Sequence, residues 1–301
     1  MADQPRNMSS IGYLYALGAA LCFGSVSTVG KVAMQTINPL LLSCLSYLLA
    51  AIALTPFARK SSFPLKSRTS ILFATSAICG AAIAPTLYFL GLQRTSASDT
   101  AILSNGEQVF TIVFAILFFK ERPKKADYIA ILMILTGVII VATNLDLSRL
   151  FIEISLGNLL VLGATVFWSI DNNVSKILTG KIEPAKLSQV KSIVGFFILA
   201  AVVIALKTPL QIGIGQIPDL ILIGTIGFGM SLYFFLKALQ NIGTVKTIVV
   251  FSTAAVFGLF FAAIFLQEAI SVYKIAAIII VMSGIYLMYK NDNAKRVDLT
   301  L

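Results

Sequence analysis

The sequence predicts an all-α polytopic membrane protein with ten transmembrane helices, arranged as two inverted five-helix repeats. Three observations support this prediction: an apolar composition, apolar runs of transmembrane length, and an internal repeat. Of the 301 residues, 58% are hydrophobic and 12% are charged, and the mean hydropathy is +0.92. A water-soluble domain could not bury that much apolar surface.

The apolar runs are mostly about 20 residues long, which is enough to cross roughly 30 Å of hydrocarbon. The loops between them are too short to hold a folded domain. The first run is longer than the apolar core of a signal peptide, so we expect it to remain in the mature protein. The ten predicted spans are residues 11–34, 39–58, 69–93, 97–119, 125–143, 156–178, 184–206, 216–240, 244–266 and 271–289.

The second half of the chain repeats the first. A shift of 145 residues brings Pro39 onto Pro184, and after a two-residue insertion a shift of 147 brings Glu121 onto Glu268. Apolar spans use few residue types, so some matches between apolar residues arise by chance, and the matched Gly, Pro, Lys and Glu positions are more informative. Repeats of this size in an apolar chain are typical of transporters whose site lies between the halves.

Basic residues predict how the repeats are oriented. With the N-terminus in the cytoplasm, 18 of the 23 Lys and Arg residues fall nearest the inner side, and Lys191 is counted among them. The positive-inside rule then places both termini in the cytoplasm of a multi-pass cell-membrane protein. Five helices per half is an odd number, so residues 1–150 form one repeat and residues 151–301 form a second, inverted one.

Composition also excludes several classes of function. The net charge of +10 is spread over loops rather than concentrated in a stripe with aromatic residues, so we expect no nucleic-acid partner. The chain has no histidine, no nucleophile–base pair and no cysteine or carboxylate cluster of metal-site spacing, so we expect neither an enzyme nor a bound metal or cofactor. The expected partners are a small-molecule substrate and the lipid bilayer, with the protein a monomer or homodimer.

The predicted fourth helix has one polar face. Its polar residues recur at spacings of three and four and have Asn105 beside them: Thr100, Ser104, Glu107, Gln108 and Thr111. A charged group inside hydrocarbon costs roughly 2.5–3.5 kcal/mol, so Glu107 needs a reason to be there. Either the face lines a cavity that binds substrate, or Glu107 joins helices as a buried carboxyl. In the first case burial favours the protonated form, and Glu107 is expected to exchange a proton and couple it to transport.

The predicted sixth helix has a second polar face. Trp168, Asp171, Asn172 and Ser175 are spaced to lie on one side of it. An aromatic and acidic surface suits a cationic or zwitterionic ligand, although a hydrogen-bond network between helices would use the same residues.

Two tyrosines are repeat partners inside predicted spans. Tyr88 and Tyr233 each need a partner for the hydroxyl, which is either the substrate or another helix. Glu121 and Glu268 lie at the ends of the fourth and ninth spans, where we expect a structural role.

The segment from Tyr88 to Glu121 resembles the signature of the drug/metabolite transporter superfamily, EamA type. It contains a tyrosine helix, the turn Thr95-Ser96-Ala97-Ser98, the run Asn105-Gly106-Glu107-Gln108-Val109-Phe110 and the ending Lys120-Glu121-Arg122. The second-half segment from Tyr233 to Glu268 is similar to it. Members usually have a Glu-Pro pair where this chain has Glu107-Gln108.

The resemblance implies ten helices in two inverted repeats around a central cavity, and export or exchange of a small metabolite such as an amino acid or amine. Its substrate-binding residues are expected among Ser104, Asn105, Glu107, Gln108, Thr111, Trp168, Asp171, Asn172, Tyr88 and Tyr233. An alternative within the superfamily is a sugar or a phosphorylated or nucleotide metabolite. A non-transporting receptor or scaffold would make poor use of a buried Glu107.

Overall fold

A computed structural model describes residues 6–58, 67–119, 125–143 and 155–298. Every regular element among these residues is helical, and no strand occurs in them. The α-helices are α1 Arg6–Ala33, α2 Pro39–Leu54, α3 Ser67–Ile78, α4 Ala84–Arg94, α5 Ala97–Leu103, α6 Gly106–Phe119, α7 Lys125–Thr143, α8 Leu156–Thr179, α9 Pro184–Ala205, α10 Ile217–Leu222, α11 Ser231–Ile242, α12 Thr244–Phe251, α13 Ala254–Phe265 and α14 Val272–Asp298. Short 3₁₀ turns cover Thr55–Phe57 and Ile214–Gln216, and π-helical segments cover Cys79–Ile83 and Ile223–Met230.

Local sequence explains where several helices begin. Asn38 accepts a hydrogen bond from the backbone N–H of Leu40 at 2.9 Å, and Pro39 occupies the first turn of α2. Ser96 caps α5 in the same way, and Ser155 caps α8. Gly243 separates α11 from α12 with φ of 78°, a conformation that favours glycine.

The helices are long and apolar enough to belong to a membrane protein. Among the described residues, five segments could cross a membrane by length and composition, and these are Ile11–Ala33, Pro39–Phe57, Thr69–Arg94, Pro184–Ala205 and Ile214–Ile242. Shorter apolar helices cover Tyr128–Val141, Ala254–Phe265 and Val272–Gly284. The predicted helical fold class is therefore confirmed, and the count of ten spans stays a prediction.

Irregularities recur at equivalent positions of the two halves. The π-helical segments Cys79–Ile83 and Ile223–Met230 correspond under the shift of 145. The predicted fourth span is broken by a turn at Ser104–Asn105, between α5 and α6, and the ninth by a turn at Ser252–Thr253, between α12 and α13. The first break forms without the proline that is usual there. It forms where the backbone N–H of Asn105 bonds the carbonyl of Ile102 at 3.1 Å, one residue short of an α-helical turn.

The packing has the symmetry of an inverted repeat. Helix α1 packs against α11 and α13, and its equivalent α8 packs against α4 and α6. The equivalent helices α2 and α9 pack against each other, as do α7 and α14. Gly137 of α7 faces Val281 of α14, and Gly284 faces Ala130, so these two helices run antiparallel. Antiparallel packing of equivalent helices is what two inverted halves require.

Candidate functional site

A cavity lies between the two repeats and has an empty volume of about 580 Å³, including its opening. We call it the central cavity. Its polar and charged lining residues are Glu107, Asp171, Asn172, Lys191, Ser192 and Ser231. Its aromatic lining residues are Phe23, Tyr47, Trp168, Phe228, Phe235 and Phe251. It extends towards the side of the bundle where α1 begins, because Leu232 and Phe235 of its wall belong to α11, whose end at Ile242 packs on Gly12.

Glu107 lies in the first turn of α6, directly after the break in the fourth span, and its side chain is buried. The amide of Asn172 in α8 donates a hydrogen bond to its carboxylate. One turn further along α6, the backbone carbonyl of Thr111 accepts a hydrogen bond from the Asn173 amide at 3.2 Å. The two polar faces predicted from the sequence therefore meet each other across the repeat boundary.

Asp171 is held by three side chains. The ammonium of Lys191 lies 2.7 Å from its Oδ2 atom, and the hydroxyls of Ser76 and Ser175 donate to Oδ1 at 2.5 and 2.9 Å. The structure corrects the placement of Lys191. The sequence assigned it to the basic inner boundary, but its side chain is only 2% exposed and lies in the bundle. The available signal was its position two turns inside an apolar span, on one face with Ser188 and Ser192.

Gly80 gives the site its shape. It belongs to the first π-helical segment, and its carbonyl accepts hydrogen bonds from the Tyr47 hydroxyl at 2.8 Å and from the Trp168 indole N–H at 3.2 Å. A Cβ atom at this position would overlap the Asp171 carboxylate. The absence of a side chain at Gly80 therefore lets the π-helical segment approach α8 closely while Asp171 keeps its contact with Lys191.

Aromatic rings form the apolar part of the wall. The ring centroid of Phe23 lies 5.6 Å from that of Trp168, 5.5 Å from that of Phe251 and 6.3 Å from that of Phe228. Rings at these separations pack edge-on or tilted, which leaves ring faces available to a ligand. The site thus combines an aromatic surface with three charged groups.

A second cavity, much narrower than the central cavity, lies on the other side of Glu107, and its empty space together with its opening is about 330 Å³. It is lined by Ser27, Tyr88, Ser104, Asn105 and Gln108 as well as Glu107. Its walls in α5 and the later part of α1 lie towards the end of the bundle opposite the N-terminus. Glu107, Phe23 and Phe251 line both cavities and separate one from the other.

The structure thus brings most of the predicted site residues to one of these two cavities. Trp168, Asp171 and Asn172 line the central cavity, and Tyr88, Ser104, Asn105 and Gln108 line the second. Thr111 is buried but lines neither. Tyr233 stacks on Phe57 with centroids 5.1 Å apart and also lines neither cavity.

An ionic cluster joins the repeats at the end of the bundle opposite the N-terminus. It consists of Ser96, Ser98, Asp99, Glu268 and Lys274. Glu268 accepts hydrogen bonds from the backbone N–H groups of Ala97 and Ser98 at 2.8 and 3.0 Å and from the Ser98 hydroxyl at 2.6 Å. Lys274 lies 2.8 Å from Asp99 and donates to the Ser98 hydroxyl at 2.7 Å. These contacts agree with a structural role for Glu268, whereas Glu121 lies outside the described residues.

The surroundings of Glu268 determine its ionisation. Partial burial alone would raise its pKa, but the hydrogen bonds from Ser98 and Ala97 and the nearby Lys274 ammonium outweigh burial and lower the pKa below its ordinary value. Glu268 is therefore a stable anion that holds the start of α5 in place.

Comparison with known proteins agrees with this architecture. An uncharacterized transporter of Methanothermobacter thermautotrophicus is 27% identical over 296 residues, which cover 93% of this chain and 86% of that protein. An uncharacterized transporter of Clostridium kluyveri is 26% identical over 302 residues, which cover 96% of each chain. One crystal structure shares the fold with a TM-score of 0.70 and 15% identity, over 92% of this chain and 98% of the other. The model of the EamA-like transporter family matches residues 10–143 and 155–290, one match for each repeat. The chain therefore belongs to the EamA-like transporter family and is a membrane transporter.

Proposed function

We propose that this transporter is a secondary exporter or exchanger of a small metabolite, such as an amino acid or an amine. It works by alternating access between two inverted five-helix repeats that together span the membrane ten times. The position of Glu107 is the observation that supports alternating access most directly, because Glu107 lines both the central cavity and the second cavity. A small rearrangement around Glu107 would transfer a bound solute from one cavity to the other.

The charges of the central cavity favour an amine or a zwitterion over an anion. An anionic solute such as a sugar phosphate would need an available cation near the middle of the bundle. Lys191 is the lysine that lines the cavity, and its ammonium is already paired with Asp171 at 2.7 Å. The alternative of a phosphorylated or nucleotide substrate therefore has no supporting contact among the described residues.

Glu107 is also the proposed proton site. Asn172 is the one described side chain that donates a hydrogen bond to it, so the carboxylate can accept either a proton or a group of the solute. Competition between a proton and a solute for one carboxylate would couple their movements, which requires no second site.

Transport by Glu107→Gln in proteoliposomes tests this proposal. The amide keeps the shape of the side chain, so we expect normal insertion. Movement of solute driven by a pH gradient should be lost. Solute-for-solute exchange should survive if Glu107 binds only the proton, and disappear if it also binds the solute.

A panel of radiolabelled amino acids, amines and sugars identifies the solute first. The matched control is Asp219→Asn, which removes a carboxylate that lines neither cavity. Gradient-driven transport at the wild-type rate in Glu107→Gln would contradict the proton role and leave Glu107 as a contact between helices.

A further inference from the structure

We propose that Lys191 determines the charge selectivity of the central cavity. Its ammonium occupies Asp171, so Glu107 is the one carboxylate left to bind a cationic group of the solute, and solutes with a single positive charge are selected. This inference rests on the proposed transport function and adds a substrate class to it: monovalent organic amines with an apolar body. Lys191 is the residue that causes divalent amines to be rejected.

Most hydrogen-bond acceptor positions of the Asp171 carboxylate are occupied by groups of the protein. A carboxylate has about four acceptor positions. Ser76 and Ser175 both donate to Oδ1, and Lys191 occupies Oδ2. Three of the four positions are therefore filled, and Gly80 crowds Oδ2, because a Cβ atom built there would lie 2.0 Å from it. To bind Asp171 closely, a solute ammonium would have to displace the buried Lys191 ammonium.

The Glu107 carboxylate has fewer partners in the protein than Asp171 has. It receives one hydrogen bond from a described side chain, that of Asn172, and it lines both cavities. Most of its acceptor positions are therefore open to a ligand. The three charged side chains that line the central cavity are Glu107, Asp171 and Lys191, and their formal charges leave a single negative charge.

The rest of the central cavity has an aromatic wall. If a solute carried a second cationic group, that group would lose its hydration and contact aromatic rings instead. These rings belong to Phe23, Trp168, Phe228 and Phe251. Aromatic faces attract a cation but do not neutralise it, and a buried unpaired charge is unfavourable. A dication is therefore disfavoured unless Asp171 becomes available.

Lys191 is positioned to neutralise Asp171. It extends from α9 to α8, whereas Asp171 is brought within reach by the missing side chain at Gly80. Lys191 thus acts as an internal substitute for a second solute ammonium. Selectivity of this kind results from rejecting the wrong ligand as well as from binding the right one.

The test compares hexylamine with hexamethylenediamine, which share a chain length and differ by one ammonium. Trp168 is the single tryptophan of the sequence and lines the cavity, so its fluorescence reports binding in purified protein. Titrations are made at several pH values at which both amines stay protonated. Size-exclusion profiles and thermal unfolding establish that each variant is folded.

We expect the wild type to bind hexylamine more tightly than the diamine. Lys191→Met keeps the length of the side chain and removes its charge, which should change the affinity ratio in favour of the diamine by about tenfold or more. The double variant Asp171→Asn/Lys191→Met restores one negative charge, has no buried unpaired ion, and should regain the wild-type ratio. Glu107→Gln should weaken binding of both amines.

An unchanged ratio in folded Lys191→Met at every pH would overturn the inference. A diamine preference that persists in the double variant would also overturn it, because the gain would then not depend on Asp171. Both results are compatible with transport of the labelled solutes in proteoliposomes, so they leave the proposed function standing. In contrast, absence of transport of every labelled solute by the wild type in proteoliposomes would contradict the proposed function itself.

Discussion

Replacing Glu268 should destabilise the protein even though its side chain is only partly buried. In Glu268→Ala, two backbone N–H groups and one hydroxyl at the start of α5 lose their acceptor, at distances of 2.8, 3.0 and 2.6 Å in the wild type. A hydrogen bond to a charged group typically contributes about 1.5–3 kcal/mol. Water can replace part of this interaction at a half-exposed site, so we expect a total loss of about 2 kcal/mol rather than the sum of three bonds.

Thermal unfolding of purified protein in detergent measures this loss. On the scale of soluble domains, about 2 kcal/mol corresponds to a fall of roughly 5 °C in Tm. Glu268→Gln should lose less, because the amide oxygen can still accept one of the bonds. Gln240→Ala, at an exposed position on α11, serves as the control and should leave Tm within about 1 °C.

The pH dependence distinguishes a charged from a neutral contact. The pKa of Glu268 is lowered below its ordinary value of 4.5 in the folded protein. Its ionised form therefore contributes full stability above pH 4.5, and this contribution is lost as pH falls through the lowered pKa. The Tm difference between the wild type and Glu268→Gln should be present at neutral pH and shrink in acid. An equal difference at both pH values, or none at neutral pH, would refute this account of the ionic cluster.

Three further predictions concern packing, topology and the site. Gly91→Ala should destabilise the protein by about 1–3 kcal/mol in thermal or denaturant unfolding, because its Cβ would lie 2.7 Å from the Gly157 carbonyl oxygen. Gly163→Ala, whose Cβ would meet only Leu87 at 3.5 Å, should be neutral or stabilising. In a cysteine-free background, an impermeant thiol reagent added outside intact cells should label Ser148→Cys but not Ser61→Cys, two positions outside the described residues; the reverse result would contradict the proposed orientation. Asp171→Asn should reduce gradient-driven transport less than Glu107→Gln does, and equal losses in the proteoliposome assay would count against Glu107 as the separate proton site.

Periodicity predicted the parts of the site that lie along single helices. The polar faces containing Glu107 and Asp171 could be found because a spacing of three and four residues places side chains on one side of a helix. The hydrogen bond from Asn172 to Glu107, which joins the two faces, was not predicted, because periodicity within one helix does not show which faces pack together. The break at Ser104–Asn105 was not predicted, because it forms without the proline that usually marks it.

The contacts that define the charge of the site could not be predicted in this way. Lys191 shares one face of α9 with Ser188 and Ser192, but that face does not show which residue its ammonium contacts. Ser76 belongs to a helix with no continuous polar face. Both side chains contact Asp171, and they can reach it only because α3, α8 and α9 pack closely. That closeness depends on the absence of a side chain at Gly80, an effect that periodicity does not describe.

The antiparallel pairing of equivalent helices has a consequence for the two open conformations of the transporter. Exchanging the two halves maps the pair α2 and α9 onto itself, and does the same for the pair α7 and α14. We therefore expect these helix pairs to give little preference for a conformation open to one face of the membrane over the other. The acidic and basic side chains do not share this symmetry, since Glu107 has Ala254 at its equivalent position in the second repeat. We expect the relative stabilities of the two open states, and with them the apparent affinity on each side of the membrane, to depend on these few side chains rather than on the fold.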